Sequence, residues 1–373
     1  MNFDHFRIPP PPNGTRDSSQ LGPPAELVPL IANTHFYNDL IAGCLSLMIN
    51  GLLIFVVTSR FASATKIFKR VLAVSKLFEM LFSASYIITA PILTSIVIEP
   101  DFSGLLIVNT GWQFNFTSSQ VFLAAAFVLL TQLIFISPWL YYFRYAQVCK
   151  SDPGSSTTFF IKDTSRKQGV VCSDVLLVAT CNVLLQVLTS ACLCYSSLPN
   201  TDDIGMLKSV ADRFAGTTSA FFLLSYSRKM TSSADEVDKV ASVVSAASYV
   251  ASLLLSIIVM VFCTVRIKMK VRESKNTSNN LLALQKKMNR VLLTQFFCPL
   301  IFIQLPFFYS VLGPIAGLSQ GLLTDLFPLL FAWSPVANTL IIFVLNSEVR
   351  NALIRKQAGT ATSDARRSFA NDN

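Results

Sequence analysis

Seven long apolar segments, separated by charged connections, constrain the fold of this chain more than any other feature. They lie at residues 37–58, 70–98, 117–142, 170–196, 240–265, 290–312 and 320–345. Each is near or above the ~20 residues that a helix needs to cross the hydrocarbon core of a bilayer. Only 14% of the 373 residues are charged, against about 25% in soluble domains. The sequence therefore predicts an all-α membrane protein with a bundle of seven helices at residues 36–346.

The ends of the chain differ from this central part. Residues 1–35 include the proline run Pro9–Pro12 and few bulky apolar residues, a composition typical of an extended, disordered tail. The tail lacks a basic stretch followed by an apolar one, so we expect no cleavable signal peptide. The first span would then act as its own targeting signal.

Basic residues predict the orientation of the bundle. Twenty-two of the 30 Lys and Arg residues fall in the first, third and fifth connections and the C-terminal tail. Because cytoplasmic loops carry the excess of basic residues, the N-terminus is predicted outside and the C-terminus in the cytoplasm. Asn13 and Asn115, each in an Asn-X-Thr triplet, are then predicted glycosylation acceptors on the outer side.

Two irregular stretches break the pattern. Lys76 and Glu79 interrupt the second segment, and their i,i+3 spacing predicts an ion pair on one helix face near the membrane edge. The apolar patch Phe221–Tyr226 is too short to span a bilayer, so we expect it to belong to a structured loop.

Several classes of site are excluded by composition. Most of the eight cysteines lie in apolar runs and none has CxxC spacing, while the only histidines are His5 and His35, in or just after the tail. We therefore expect no metal, no cofactor and no enzymatic activity. The seventh segment also lacks a lysine, which argues against a retinal-based light sensor.

The stretch Leu284–Tyr309 starts with basic residues ending at Arg290, then runs apolar with Pro299 and Pro306 inside it. In water two prolines would argue against a helix. In a membrane, neighbouring helices can bond the backbone groups that proline frees. The sequence predicts a kinked span whose basic end lies at the cytoplasmic surface.

The third segment ends in LYYFRYAQVCK, residues Leu140–Lys150. An arginine at this depth is costly unless it snorkels to the surface or finds a partner. Arg144 could be a plain interfacial anchor among tyrosines that include Tyr145, or it could serve in signalling. Its position alone leaves both interpretations open.

Four motifs together resemble the nematode serpentine chemoreceptors of the Str and Srd classes, which are G-protein-coupled receptors. The "YRY" motif at Arg144 is one, and the other three follow in family order. They are KLFEMLFSASYIITAP (Lys76–Pro91), LLTQFFCPLIFIQLP (Leu292–Pro306) and WSPVANTLIIFVLNSEVRNAL (Trp333–Leu353). The resemblance covers about residues 37–356. Val349 departs from it, since the family often has Tyr before the following arginine.

The resemblance implies a chemosensory receptor in the plasma membrane of a sensory cilium. It would bind a small odorant or pheromone and signal to a heterotrimeric G protein, and its tail, residues 347–373, would begin with a short amphipathic helix at 347–356. The residues implied in coupling or switching are Arg144, Tyr145, Arg290, Pro299, Pro306, Pro335 and Asn338. The third segment has no cysteine at its outer end, so the disulfide of rhodopsin-like receptors is not expected.

The predicted ligand residues are outer-half groups that could face the bundle: Tyr86, Gln120, Ser245, Tyr249, Gln304, Tyr309 and Trp333. The aromatic members could equally pack between helices. Gln304 could instead bond backbone groups that Pro306 frees.

Two other functions remain as alternatives. An odorant-gated ion-channel subunit also has seven helices, but its N-terminus lies inside, which the basic residues oppose. A small-molecule transporter would need ionisable groups at mid-membrane, and the Lys76–Glu79 pair is the only candidate that the segments suggest.

Overall fold

The structure is a computed structural model, and it describes much of the chain. The described residues are 24, 26–60, 66–98, 102–112, 114–149, 180, 183–184, 186–199, 201–216, 220–228, 233–273, 290, 293–294, 297–315, 322–345 and 349–350. Within these ranges the chain is helical apart from one small sheet.

The helices follow the predicted order of segments. They are α1 (Val28–Arg60), α2 (Lys66–Thr89), α3 (Phe116–Cys149), α4 (186–196), α5 (Thr201–Ala215), α6 (Ser233–Glu273), a π-helical turn (Leu300–Gln304), α7 (Leu305–Ile315) and α8 (Leu322–Leu345). Among the described residues, α1, α2, α3, α6 and α8 are long and apolar enough to cross a membrane, and Phe297–Ser310 is a shorter apolar helix. Most of the predicted fourth span before residue 186, and most of the sixth before 297, lie outside the described residues.

The prediction that the second span continues to residue 98 is wrong. Helix α2 ends at Thr89, and Ala90 follows with a positive φ of 35°. Pro91 comes next, and a residue that precedes proline is disfavoured in the helical conformation. The chain then continues as a β-strand rather than as helix.

Helix α1 begins at Val28, within the stretch that was predicted as tail. Its first turns are helical because they have a surface to pack on. Val28 and Ile31 are buried against Leu207, Val210 and other apolar residues of α5. Such packing stabilises a helix beyond its membrane-spanning part.

Three antiparallel strands form a sheet in the order β1 (Pro91–Ile98), β2 (Phe102–Asn109) and β3 (Phe221–Arg228). Strands β1 and β2 pair along their whole length, from Pro91 opposite Asn109 to Ile98 opposite Phe102. The patch Phe221–Tyr226 is part of β3, which confirms that this short apolar patch is structured.

Both faces of the sheet are buried. Side chains alternate along a strand, so Ile92, Leu106 and Phe221 point towards α5 and the first turns of α1. The intervening residues Leu93, Ile107 and Phe222 pack instead on the helices of the bundle. The sheet is therefore a layer between α5 and the bundle, and we call this the sheet end of the molecule.

Backbone hydrogen bonds hold the sheet on the end of α2. The N–H groups of Thr110 and Gly111 donate to the Thr89 carbonyl at 3.1 and 2.9 Å, and Trp112 N–H donates to the Ile88 carbonyl at 2.8 Å. A Cβ at Gly111 would collide with the Ile88 carbonyl. Glycine is needed here because the two backbones approach so closely.

Candidate functional site

A small cavity lies directly beneath the sheet. Its volume is about 20 Å³, and all three strands together with α2, α3, α7 and α8 contribute to its wall. The lining residues are Tyr86, Pro91, Leu93, Ile107, Leu123, Ala126, Phe127, Leu130, Phe222, Phe307 and Phe331. We call this the sheet-capped cavity.

The wall of this cavity is almost wholly apolar. Tyr86 is the one lining residue with a polar side-chain group, and its ring lies 4.5 Å from that of Phe82. Phe127 and Phe307 contact each other across 6.2 Å between ring centroids. A drug-sized ligand needs about 300–1,000 Å³, so this cavity is too small for one, and a larger guest requires the aromatic side chains to move.

The structure places two predicted ligand residues with the aromatic wall. Tyr86 lines the cavity itself. Trp333 packs against the same core cluster and donates its indole N–H to Asn38 Oδ1 at 2.9 Å. Tyr309 lies on α7 with its ring edge-on to Phe327 at 5.6 Å, outside the lining set.

Gln120 and Ser245, two further predicted ligand residues, are not among the cavity-lining residues. Gln120 is half-buried in the first turns of α3, and Ser245 is buried on α6. The side chain of Tyr249 lies outside the described residues. These three, like Tyr309, stay predictions.

Three wall residues on the strands, Leu93, Ile107 and Phe222, were not predicted from the sequence. A usable signal was present, because β1 (PILTSIVI) is rich in β-branched residues and starts at a proline. Such residues are enriched in strands.

The π-helical turn Leu300–Gln304 lies between Pro299 and Pro306. Leu305 donates its backbone N–H to the Leu300 carbonyl, and the Ser310 hydroxyl donates to the Pro306 carbonyl at 2.9 Å. The irregular backbone here has the identifiable cause that the sequence predicted, since proline cannot continue the helical bonding. Gln304 is fully buried, and its amide atoms have no hydrogen-bond partner among the described residues.

A buried polar network joins α1, α2 and α8. Lys76 Nζ lies 2.7 and 2.8 Å from the Glu79 carboxylate oxygens, and the two side chains are 1% and 2% exposed. Asn338 Nδ2 donates to Glu79 Oε1 at 2.7 Å. The predicted i,i+3 pair therefore forms, and its helix face is enclosed by α1 and α8.

The network continues towards α1 through hydroxyl and amide groups. Lys76 Nζ donates to Thr339 Oγ1 at 3.1 Å, and Thr339 Oγ1 donates to Asn50 Oδ1 at 2.6 Å. Asn50 Nδ2 donates to Ser46, whose hydroxyl lies 2.6 Å from that of Ser83. Nearly every polar atom in the network has a partner, which is what burial of charge requires.

At the opposite end of the bundle, α3 packs on α6. The Tyr145 ring lies 6.0 Å from Phe262, and the Arg266 guanidinium lies 5.4 Å from the centre of that same ring. The side chain of Arg144 lies outside the described residues, and Arg290 is helical and exposed. Of the residues implied in switching, the structure joins Asn338 directly to Glu79, and Pro335 is buried one turn earlier on α8.

Comparison with known proteins decides the family. The family model described as serpentine type 7TM GPCR chemoreceptor Str matches residues 36–354. The chain belongs to the Str chemoreceptor family. No curated protein matches it. The Str match contains every cavity residue and the whole polar network.

Membership of the Str family confirms the resemblance that the four motifs indicated. It supports a chemosensory receptor that crosses the membrane several times, and Str is not an enzyme family.

Asn13 and Asn115 are the two predicted glycosylation acceptors of this Str chemoreceptor. Asn13 lies outside the described residues. Asn115 is exposed just before α3, where its Oδ1 accepts the Ser118 backbone N–H at 2.8 Å. This is the usual helix-capping geometry, and it leaves the Asn115 amide nitrogen, the atom that a glycan needs, uncommitted to the cap.

Proposed function

We propose that this chain is a seven-helix chemosensory receptor that binds a small external chemical in the sheet-capped cavity and signals to a heterotrimeric G protein. Its family supports the receptor class, and the apolar cavity beneath the sheet supports the place of binding. The N-terminus and the sheet end face outwards, in the plasma membrane of a sensory cilium. The C-terminal tail lies in the cytoplasm and starts with the short helix at 347–356.

The cavity assignment can be tested by filling it. Ala126 lines the cavity on α3, whereas its neighbour Ala125 is exposed on the same helix. The change Ala126→Leu adds bulk to the cavity, and we expect it to reduce the potency of an agonist at least about tenfold, the equivalent of ~1.4 kcal/mol. Ala125→Leu, on the outward face, is the matched control and should respond like the wild type.

The measurement is a chemical panel on cells that express the chain with a promiscuous G protein, with surface expression followed by an N-terminal tag. Equal potency for both variants, at equal surface expression, would place the ligand elsewhere. Loss of response in both would indicate a general effect of added bulk on α3.

The coupling end lies opposite the sheet, with Arg144 and Tyr145 at the end of α3 and Arg290 before the π-helical turn. Pro299, Pro306 and Pro335 allow helix segments to change angle, and Asn338 links α8 to Glu79. A ligand that binds one helix arrangement better than the other then shifts the population.

For this coupling role, we expect Arg144→Ala to abolish G-protein signalling while the receptor still reaches the surface. Lys268→Ala, a substitution of an exposed basic residue on α6, is the control and should retain signalling. A full response from Arg144→Ala would contradict the role of the YRY motif.

Orientation has its own test. An N-terminal tag should bind antibody on intact cells, and Asn13 or Asn115 should carry a glycan that Asn→Gln removes. A tag that is hidden until the membrane is permeabilised would reverse the orientation.

A transporter is the second candidate, because the bundle buries more ionisable side chains than the sequence suggested. Besides Lys76 and Glu79, the side chains of His35, Asp39 and Asp325 are at most 1% exposed. Uptake of a labelled agonist without any G protein would favour this alternative, and an agonist-evoked current under the same condition would favour a channel.

A further inference from the structure

Three ionisable side chains are buried together where α1 meets α8 at the sheet end. His35 Nε2 lies 2.6 Å from the Asp325 backbone carbonyl, so these residues are in direct contact. Asp39 lies one turn further along α1 than His35. Asn38, its neighbour, donates to the Leu329 carbonyl, one turn beyond Asp325 on α8. The exposed fractions of His35, Asp39 and Asp325 are 1%, 0% and 1%.

The hydrogen bonds of these groups leave acceptors without donors. Because His35 Nε2 faces a carbonyl oxygen, it must donate, and a neutral ring then has only an acceptor at Nδ1. That Nδ1 has no partner among the described residues. Asp39 Oδ1 accepts Asn38 Nδ2 at 3.0 Å, while Asp39 Oδ2 has no partner there. Neither carboxylate oxygen of Asp325 receives a well-formed hydrogen bond, although the Thr94 side chain lies close to it.

Asp39 and Asp325 are not expected to remain ionised without a counter-ion. Burying an ionised carboxylate without a partner is so unfavourable that the group gains a counter-ion or a proton instead. The network around Glu79 meets this requirement with Lys76. At the sheet end, no lysine or arginine in the described part of the chain forms an ion pair with Asp39 or Asp325.

We propose that His35, Asp39 and Asp325 form a proton-binding site between α1 and α8. A metal ion is the weaker choice, because a hard cation needs several oxygen ligands at once. No group of three His, Cys, Asp or Glu side chains among the described residues is arranged to hold a metal. A proton needs only one uncommitted oxygen, and His35, one turn before Asp39 on α1, has at Nδ1 an acceptor without a partner among the described residues.

The elements packed around the site bring few other charges to it. Helix α2 contributes Tyr86, which lies within electrostatic reach of Asp39. Strand β1 contributes the neutral Thr94, and α7 carries Tyr309 as its one ionisable residue. Helix α5 carries Asp212 and Arg213 on a half-buried side.

Protonation of this site would affect how α1 and α8 pack at the sheet end. It joins the start of α1 to the start of α8, beside the edge strand β1, whose Leu93 lines the cavity. When the protons leave, two carboxylates without a counter-ion become charged in a buried contact of low dielectric constant, which costs free energy. Loss of protons would therefore loosen the contact between α1 and α8 next to the cavity. This inference does not depend on coupling to a G protein.

Infrared difference spectroscopy of the full-length protein in lipid nanodiscs tests the proposal without any agonist. A protonated carboxyl has a C=O stretch distinct from that of a carboxylate, and it shifts in deuterium oxide. We expect the wild type to show this band at neutral pH and to lose it at alkaline pH. Asp39→Asn and Asp325→Asn should each remove part of the band, and Asp212→Asn on α5, the matched control, should leave it unchanged.

The wild-type spectrum alone can overturn the proposal if a variant fails to fold. Absence of a protonated carboxyl band at neutral pH would mean that both carboxylates are ionised. A titration midpoint that moves when sodium replaces choline would assign the site to a metal ion instead of a proton. A band that persists in full in both folded variants would belong to other residues.

Discussion

The sheet-capped cavity and the Lys76–Glu79 network lie in the same bundle and share α2 and α8, yet different interactions stabilise them. The wall of the cavity consists of aromatic and aliphatic side chains, which are held by non-directional van der Waals contacts. The network is held by directional bonds, including 2.7 Å from Lys76 to Glu79 and 2.6 Å from Thr339 to Asn50.

This difference determines what each region can do. Apolar contacts are individually weak and tolerate rearrangement when total volume is kept. A buried ion pair tolerates little, because loss of one partner leaves an uncompensated charge. The cavity is therefore suited to adapting to a guest, and the network to keeping α1, α2 and α8 in register while that happens.

The largest predicted effect is in the network. Glu79→Ala leaves the Lys76 ammonium buried without its carboxylate, and we expect a loss of about 3–5 kcal/mol of stability. Thermal unfolding of the solubilised receptor, followed by fluorescence-detected size exclusion, measures it. The double change Lys76→Met with Glu79→Leu removes both charges and should recover most of the loss. A single variant as stable as the wild type would show that the pair is solvated.

A cavity substitution should behave differently. Phe307→Leu keeps an apolar side chain but removes three carbon atoms from the wall, so we expect a cost of about 2 kcal/mol, below that of Glu79→Ala. The order of agonist potencies should change, because the wall has changed shape. Stability measured as above, together with a dose–response panel, separates the two effects. A loss as large as that of Glu79→Ala would contradict the contrast between an adaptable and a rigid region.

The sequence predicted five helices of membrane-spanning length among the described residues, and the family, because both leave patterns within single segments. The basic loops, the apolar segments and the motifs around Glu79, Pro299 and Pro335 can be read one helix at a time. The polar network was predicted only as the i,i+3 pair. Its enclosure depends on Asn50 and Thr339, whose approach is a property of three packed helices.

The sheet and the buried acids could not be predicted in the same way. Strand β1 is rich in residues favoured in strands, but it continues directly from the apolar segment of α2, so it resembles the end of a helix. Asp39 and Asp325 stand near the ends of apolar segments, where a carboxylate normally reaches water. Here the sheet and α5 cover that end, and this covering is visible only in the fold.

The smallest predicted effect concerns Trp333, which combines an apolar contact with a directional hydrogen bond. The Trp333 ring packs on the aromatic core around the cavity, while its N–H donates to Asn38 Oδ1 at 2.9 Å. Trp333→Phe keeps an aromatic ring and removes the donor, so the loss should be near the ~1 kcal/mol of a single hydrogen bond. Asn38→Ala on its own, and combined with Trp333→Phe, completes a double-mutant cycle on the solubilised receptor. A coupling energy near zero would mean that Trp333 acts only through its ring. A large change in agonist potency with little change in stability would instead support the prediction that Trp333 contacts the ligand.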